Sequence, residues 1–210
     1  MVNNQKAAVI SGDIIGSSLL NPASRRKLQQ ILDAFLKHSA KQWPDMRFQQ
    51  YRGDSLQVIF TSNRLASLRM VLLLHCYLIQ ENYKIRLAVG VGEISFKSKQ
   101  LITSDGSAFQ LSGPYLDELA KNGDVISIAG ISEEFTSEWQ VHSATLNYLI
   151  QRLTPQQAQA LYLQLQNLTQ AAIAKKLKIK QPSVSQRLQA AGWPVVNKIL
   201  TRFESVIPTL

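Results

Sequence analysis

Between Leu168 and Ala191 the chain reads LTQAAIAKKLKIKQPSVSQRLQAA, which permits little besides two short amphipathic helices joined by a tight turn. Thr169 can cap the first, because its hydroxyl accepts a bond from a backbone N–H that otherwise lacks a partner one turn on. Ile173 and Leu177 fall four apart on one face, and Ala174 is small enough to admit another helix closely. Pro182 is confined to a first helical turn, where its missing N–H costs nothing, so the second helix begins at about Gln181. Val184 and Leu188 form its buried stripe.

A rotation of about 100° per residue from Val184 carries Pro182, Ser185, Gln186 and Gln189 to the far side, with Gln181 and Ser183 beside them. Glutamine suits major-groove reading because its amide both donates and accepts, matching N6 and N7 of adenine. Lys180 and Arg187 sit nearer the edges, where phosphate contact is expected. The sequence thus predicts double-stranded DNA as a partner, read by Lys180, Gln181, Ser183, Ser185, Gln186, Arg187 and Gln189. The alternative is a module that only packs or dimerises. Charge separates the two: residues 1–150 hold fifteen Lys and Arg against thirteen Asp and Glu, whereas residues 151–210 hold eight against Glu204 alone. Nearly all of the net +9 therefore lies where counterions of phosphates would be displaced.

The segment resembles the helix-turn-helix of many bacterial transcription regulators and sigma-factor-like domains. The shared residues are Leu168, Thr169, Gln170, Ile173, Ala174, Leu177, Ile179, Gln181, Pro182, Val184 and Ser185. It departs from that pattern at Lys178, where the turn usually has Gly, and at Lys180, where the cap is usually Ser. A left-handed Lys178 would cost roughly 1 kcal/mol that Gly would not.

At 210 residues and 45% hydrophobic content the chain has material for one or two packed domains. No basic-then-apolar leader opens it, and its strongly apolar run Met70–Leu74 stops at His75, far short of the ~20 residues that cross a bilayer. A cytoplasmic protein with no membrane partner is expected. The single cysteine, Cys76, lies in the apolar helix MVLLLHCYLI and reads as buried filler. His75 beside it is a helix residue whose facing the sequence leaves open.

Ala7–Ser11 is a short apolar run of the kind that forms a buried strand, ending at Gly12-Asp13. Pro22 opens a helix with Leu28, Ile31, Leu32, Phe35 and Leu36 at helical spacing. Residues 47–52 and 55–60 read as two strands turned by Gly53-Asp54. Asn63 is placed to cap a long apolar helix ending near Asn82. Residues 85–94 form a further strand, in which Gly90 and Gly92 imply close backbone approach or a bulge. A helix from Ser107 to Ala120 and a strand from Val125 to Ala129 follow.

The order β, α, β, β, α, β, α, β predicts an α+β fold with a split, ferredoxin-like N-terminal domain, in which Asp13 and Asp54 converge at one end of the sheet. Two carboxylates from adjacent strand ends suit Mg²⁺ and a nucleotide; equally, one can finish a strand and the other shape a hairpin. Gly12, Gly16, Gly53 and Gly106 would let backbone amides approach a phosphate, and Arg52 could touch one. Glu93 and Asp105 are candidate third ligands, or solvated loop residues. The Arg52-Gly53-Asp54 triplet is a strand turn, not an adhesion motif.

Asp13-Ile14-Ile15-Gly16-Ser17-Ser18, Gly53-Asp54, Phe60, Arg86, Gly90 and Asp105-Gly106-Ser107-Ala108 resemble motifs of class III nucleotidyl cyclases over about residues 6–120. The resemblance departs at Phe109 and Gly113, where that family has an Asn and an Arg, and at Gln50, where it has a purine-selecting Lys. Without those polar groups ring closure loses stabilisation usually worth several kcal/mol, which argues against cyclase activity. With GDIIGS, YRGD and DGSAF ahead of a terminal helix-turn-helix, the layout is most similar to the SatD family, a resemblance that implies an architecture more than an activity.

From Ser132 to Leu153 the pattern is helical, and Thr154-Pro155 restarts a helix with Ala158, Leu161, Tyr162 and Leu165 inward. Pro194 opens a last helix whose Val195, Val196, Ile199, Leu200 and Phe203 must pack on the helical module or on a second chain. The expected organisation is a cyclase-like domain over 1–135, a helical connector over 136–153 and a DNA-binding domain over 154–210. Because one helix-turn-helix contacts few base pairs, a homodimer is expected. The leading reading is a bacterial DNA-binding regulator with a ligand-sensing domain, nucleotide and Mg²⁺ being candidate ligands. The alternative is a metal-dependent nucleotide-processing enzyme that the helical module recruits.

Overall fold

The computed structural model describes residues 5–51, 53–95, 101 and 104–209. Five strands form one mixed sheet in the order β2-β3-β1-β4-β5. These are β1 (Gln5–Ile14), β2 (Arg47–Tyr51), β3 (Ser55–Phe60), β4 (Ile85–Ile94) and β5 (Ile126–Gly130). The first four pair antiparallel, and β5 joins the edge parallel to β4. Interleaved with them are α1 (Pro22–Gln42), α2 (Ala66–Gln80), α3 (Ser107–Asn122) and α4 (Glu133–Ile150). The predicted split β-α-β layout is present, followed by a helical half.

Strand β1 runs past the expected stop at Ser11. Gly12 and Asp13 pair on both sides, with Leu56 and Ser55 of β3 and with Leu87 and Arg86 of β4, so the central position of the strand keeps its end in the ladder. Along β1 the side chains alternate. Ala8, Ile10 and Ile14 join the core beneath α1 and α2, while Ala7 and Val9 face α3 with Ile59, Ile94 and Ala108. Helix α3 lies directly on β4 because Gly90 and Gly92 carry no side chain. A Cβ on Gly90 would sit 2.1 Å from the Ala108 carbonyl, and one on Gly92 2.6 Å from Ser107 Oγ. Ser11 and Ser112 hydroxyls, 2.9 Å apart, pin the same contact to β1.

Asn63 does not cap α2, whose first residue is Ala66. The Asn63 side-chain amide donates to Asp45 at 2.7 Å, and the Thr61 and Asn63 backbone N–H groups donate to the same carboxylate, so the chain turns before the helix starts. Helix α2 is buried almost all round: Leu68, Met70, Val71, Leu72 and Leu74 are fully inaccessible, and Cys76 and His75 are inside as well. A helix apolar on every side needs neighbours on every side.

Those neighbours are the sheet and the C-terminal helices. Helices α5 (Pro155–Leu165), α6 (Gln170–Leu177), α7 (Gln181–Ala190) and α8 (Trp193–Val206) complete the chain. Ala158, Leu161, Leu165, Val196, Ile199, Leu200 and Phe203 belong to the same continuous core as α2 and the sheet. Tyr77 meets Tyr162 ring to ring at 5.7 Å, and Arg69 of α2 donates to the Leu165 carbonyl at 3.1 Å and pairs with Glu204 at 2.7 Å. The stretch expected to be a connector is core. Asn147 of α4 accepts from the Val125 and Ile126 N–H groups, both at 2.8 Å, and donates to the Ile126 carbonyl, so it closes the start of β5.

Candidate functional site

The DNA-reading residues predicted from sequence come together on α7 and its entry. Thr154 opens the module with a complete capping box, Gln157 answering it, and Thr169 caps α6 by accepting from the Ala172 N–H at 3.3 Å. Ile173, Ala174, Val184 and Leu188 interlock with Ala160 and Leu163 in a separate small core. This core fixes the angle at which α7 is presented. Lys178 ends α6 in the left-handed region (φ 55°, ψ 41°), and the Ile179 N–H closes the turn on the Ala174 carbonyl at 3.1 Å. Lys180 stands at the N-cap of α7 with no side-chain cap, as its lack of an acceptor dictates.

On α7 itself Gln181, Ser185, Gln186 and Gln189 are exposed, together with Lys180 ahead of it, while Ser183 and Arg187 are half-buried at the flanks. Among the described residues no carboxylate pairs with Lys175, Lys176, Lys178, Lys180 or Arg187. The one acid of this half, Glu204, is turned inward onto Arg69. The module therefore presents positive charge, uncompensated among the described residues, around an amide-rich helix face.

At the sheet, the Ile14 N–H donates to the Asp54 carbonyl at 3.0 Å, so the ends of β1 and the β2–β3 hairpin are adjacent. Their carboxylates, however, are differently engaged. Asp13 is gripped by Arg86, directly opposite on β4, through two bonds of 2.9 and 2.6 Å. The hydrogen bond to Asp13 holds the Arg86 guanidinium above its ordinary pKa. Asp54 accepts from Ser17 Oγ at 2.5 Å and from Ser55 Oγ at 3.3 Å. Gly16 takes the left-handed turn that delivers Ser17, and Arg25 of α1 donates to the Ser17 carbonyl at 3.3 Å. Ser17, Ser18, Arg25, Leu28, Gly53 and Asp54 line a cavity of about 160 Å³.

The predicted phosphate glycines are not all part of this site. Gly53 lines it and Gly16 makes the turn just before Ser17, both at positive φ. Gly12 is enclosed in the ladder under Leu87, whose Cδ2 a Cβ would meet at 2.4 Å. Gly106, Asp105 and Glu93 lie toward the Ile94 end of β4, about 20 Å from Arg86 at ~3.3 Å per strand residue. Asp105 there accepts from the Gly106 N–H at 2.7 Å. Arg52 lies outside the described residues. No group of three metal-ligating side chains forms among the described residues, and both oxygens of Asp13 already serve Arg86. As arranged, these residues do not fit a Mg²⁺ bridging Asp13 and Asp54. Ser17, legible only as a motif residue, is delivered to Asp54 by the Gly16 turn, and Arg25, which no sequence signal singles out, is brought to the Ser17 carbonyl by the packing of α1. Arg86 was legible as a motif residue but not as the partner of Asp13.

Residues 144–191, from the second half of α4 to the start of the turn after α7, match the family model for sigma-70, region 4. The matched region thus begins inside α4. Among solved structures the chain is similar to a bacterial light-regulated adenylyl cyclase, at 11% identity and TM-score 0.48 over 60% of this chain and 76% of that one. It is also similar to the guanylyl cyclase Cya2, at 14% identity and TM-score 0.47 over 60% and 76%. A third is the adenylyl cyclase CyaB from P. aeruginosa, at 15% identity and TM-score 0.45 over 55% and 73%. No curated protein matches the chain. No helix among the described residues is long and apolar enough to cross a membrane.

Proposed function

We propose that the protein is a bacterial, cytoplasmic DNA-binding transcription regulator of the SatD family whose α/β half senses a small ligand. The observation that carries the reading is the α7 surface: Gln181, Ser185, Gln186 and Gln189 exposed amid cations that no described carboxylate neutralises. The likeness of residues 144–191 to sigma-70, region 4 supports it. Gln186 and Gln189 would read base edges, and Lys175, Lys176, Lys180 and Arg187 would hold phosphates. Because a single reading head covers few base pairs, the working species would be a homodimer on two half-sites. The ligand of the α/β half would be a phosphate-bearing molecule of the nucleotide class, held by Ser17, Arg25 and the Gly16 and Gly53 amides.

The test is a gel-shift titration against genomic fragments at two salt concentrations. The parent should select particular fragments, with affinity falling steeply as salt rises. The Gln186→Ala, Arg187→Ala double variant should lose selectivity and bind roughly tenfold or more weakly, since each good base contact is worth about 1–3 kcal/mol. Binding by the double variant as tight and as selective as the parent's would remove the recognition-helix assignment.

A further inference from the structure

Helix α4 gives one side to the core and leaves the other bare. Phe135, Trp139, Ser143, Leu146, Asn147 and Ile150 are its buried residues. Across the helix from them Glu134, Glu138, Val141, Thr145, Tyr148 and, in the turn that follows, Arg152 recur at alternate steps of four and three, and none of the six is buried. That spacing draws one stripe along a helix, the seam through which two helices pair.

The middle of the stripe is apolar. Val141 is 66% exposed and Tyr148 60%. Exposed apolar side chains scattered singly are ordinary, but these two stand seven residues apart on one line, with the Thr145 methyl between them. Its ends carry opposite charge. Glu134 and Glu138 stand near the start of α4, and Arg152 follows its last turn. The Arg152 guanidinium lies 3.8 Å from the centre of the Tyr148 ring, and its Nη1 donates to the Tyr148 carbonyl at 3.0 Å, so the cation is held on the stripe. Glu138 pairs with Arg202 of α8, whereas Glu134 and Arg152 form no ion pair among the described residues.

This order of charge selects the occupant. A stripe that is acidic at one end, apolar in the middle and basic at the other is complementary to its own reverse. About a two-fold axis level with position 143, Glu134 of one copy lies opposite Arg152 of the other, Glu138 opposite Tyr148 and Val141 opposite Thr145, and every pairing is made twice. A parallel arrangement would instead set Glu134 against Glu134 and Arg152 against Arg152, which like charge disfavours.

We infer that the outer stripe of α4 pairs antiparallel with the same stripe of a second copy of this chain. The inference rests on the homodimer of the proposed function, whose interface it supplies. One helix pair is a small interface, so the dimer forms reversibly and tightens when two half-sites hold both copies. Because α4 shares a core with α5 and α8, pairing here also sets how far apart the two α7 surfaces stand.

The test is sedimentation equilibrium of the full chain over a wide concentration range, without DNA. The parent should dimerise reversibly. Val141→Lys should weaken the dimer at least tenfold while circular dichroism stays that of the parent, since position 141 is exposed. Glu134→Arg and Arg152→Glu, each alone, should weaken it severalfold by facing like charges, and the two together should restore it. A dimer that none of the single changes weakens removes this interface and leaves the homodimer standing, and a double variant no better than its singles removes the antiparallel pairing. A parent that stays monomeric at every concentration removes the interface and the free homodimer together, without touching the assignment of α7.

Discussion

Trp139 of α4 and Phe203 of α8 meet edge to face with ring centroids 4.9 Å apart, and neither has any solvent exposure. One ring belongs to the helix that closes the sheet and the other to the last helix of the C-terminal half. Their contact joins the two halves in one core, flanked by the Arg202–Glu138 pair at 2.8 Å on the surface and by Arg69–Glu204 further in. A signal arising in the sheet therefore has a packed path to α5 and α8, with no flexible linker in between.

The shared core predicts one cooperative unfolding event. Calorimetry of the full chain should show a single transition with equal calorimetric and van't Hoff enthalpies, and Phe203→Ala should lower its stability by about 3–5 kcal/mol. Two resolved transitions, only one of them moved by the substitution, would mean that the halves fold separately.

Lys178 holds a left-handed conformation that suits glycine. Lys178→Gly should therefore stabilise the chain by about 1 kcal/mol and raise Tm by roughly 2–4 °C. The same variant should show a shallower salt dependence of DNA affinity if Lys178 neutralises a phosphate, the slope changing by about 0.9. A lower Tm would contradict the turn geometry.

Burial pushes the His75 pKa down to about 3, from an ordinary value of 6.5, against the opposing bond to the Val125 backbone. The folded chain thus keeps this ring neutral where the unfolded chain protonates it. The contribution of the neutral ring is whole above pH 6.5 and is lost as pH falls from 6.5 toward 3, at up to about 1.4 kcal/mol per pH unit. Between pH 6.5 and 5 the loss should approach ~2 kcal/mol. Urea titrations at both pH values, on the parent and on His75→Gln, check this: the variant should lose less stability on acidification than the parent.

The Asp13 carboxylate is free for a cation only when Arg86 releases it. Charge-assisted bonds of this kind are worth about 1.5–3 kcal/mol, so Arg86→Ala should bind Mg²⁺ at least tenfold more tightly than the parent in calorimetry, and Asp13→Asn should remove the gain. Tight Mg²⁺ binding by the parent, unaltered by either change, would place the ion elsewhere.

Much of the fold was legible because its signals are local. Pro22, Pro155, Pro182 and Pro194 mark helix starts, each at the first or second position of the helix that forms. The Gly53-Asp54 turn marks the β2–β3 hairpin, and the apolar run Ala7–Ser11 marks β1 as a buried strand. The Thr169–Ser185 pattern pointed to the helix-turn-helix without any knowledge of tertiary contacts. The Asp13–Asp54 site was legible only in part. That the two strand ends meet follows from the split topology, but that Arg86 sits opposite Asp13 follows from the β1–β4 register, and register is a long-range property.

The sequence by itself determined the α+β order, the basic helix-turn-helix and the exposed glutamines of α7, because propensity, periodicity and charge act over a turn or two of chain. Only the tertiary structure decided that α2 is the shared centre of both halves, that α4 packs into that core, and that His75 is buried with its Nε2 unpartnered among the described residues. The physical reason lies in α2, whose apolar surface runs all the way round: burying it needs helices from more than eighty residues further along the chain, and no local pattern specifies which surfaces those helices will meet.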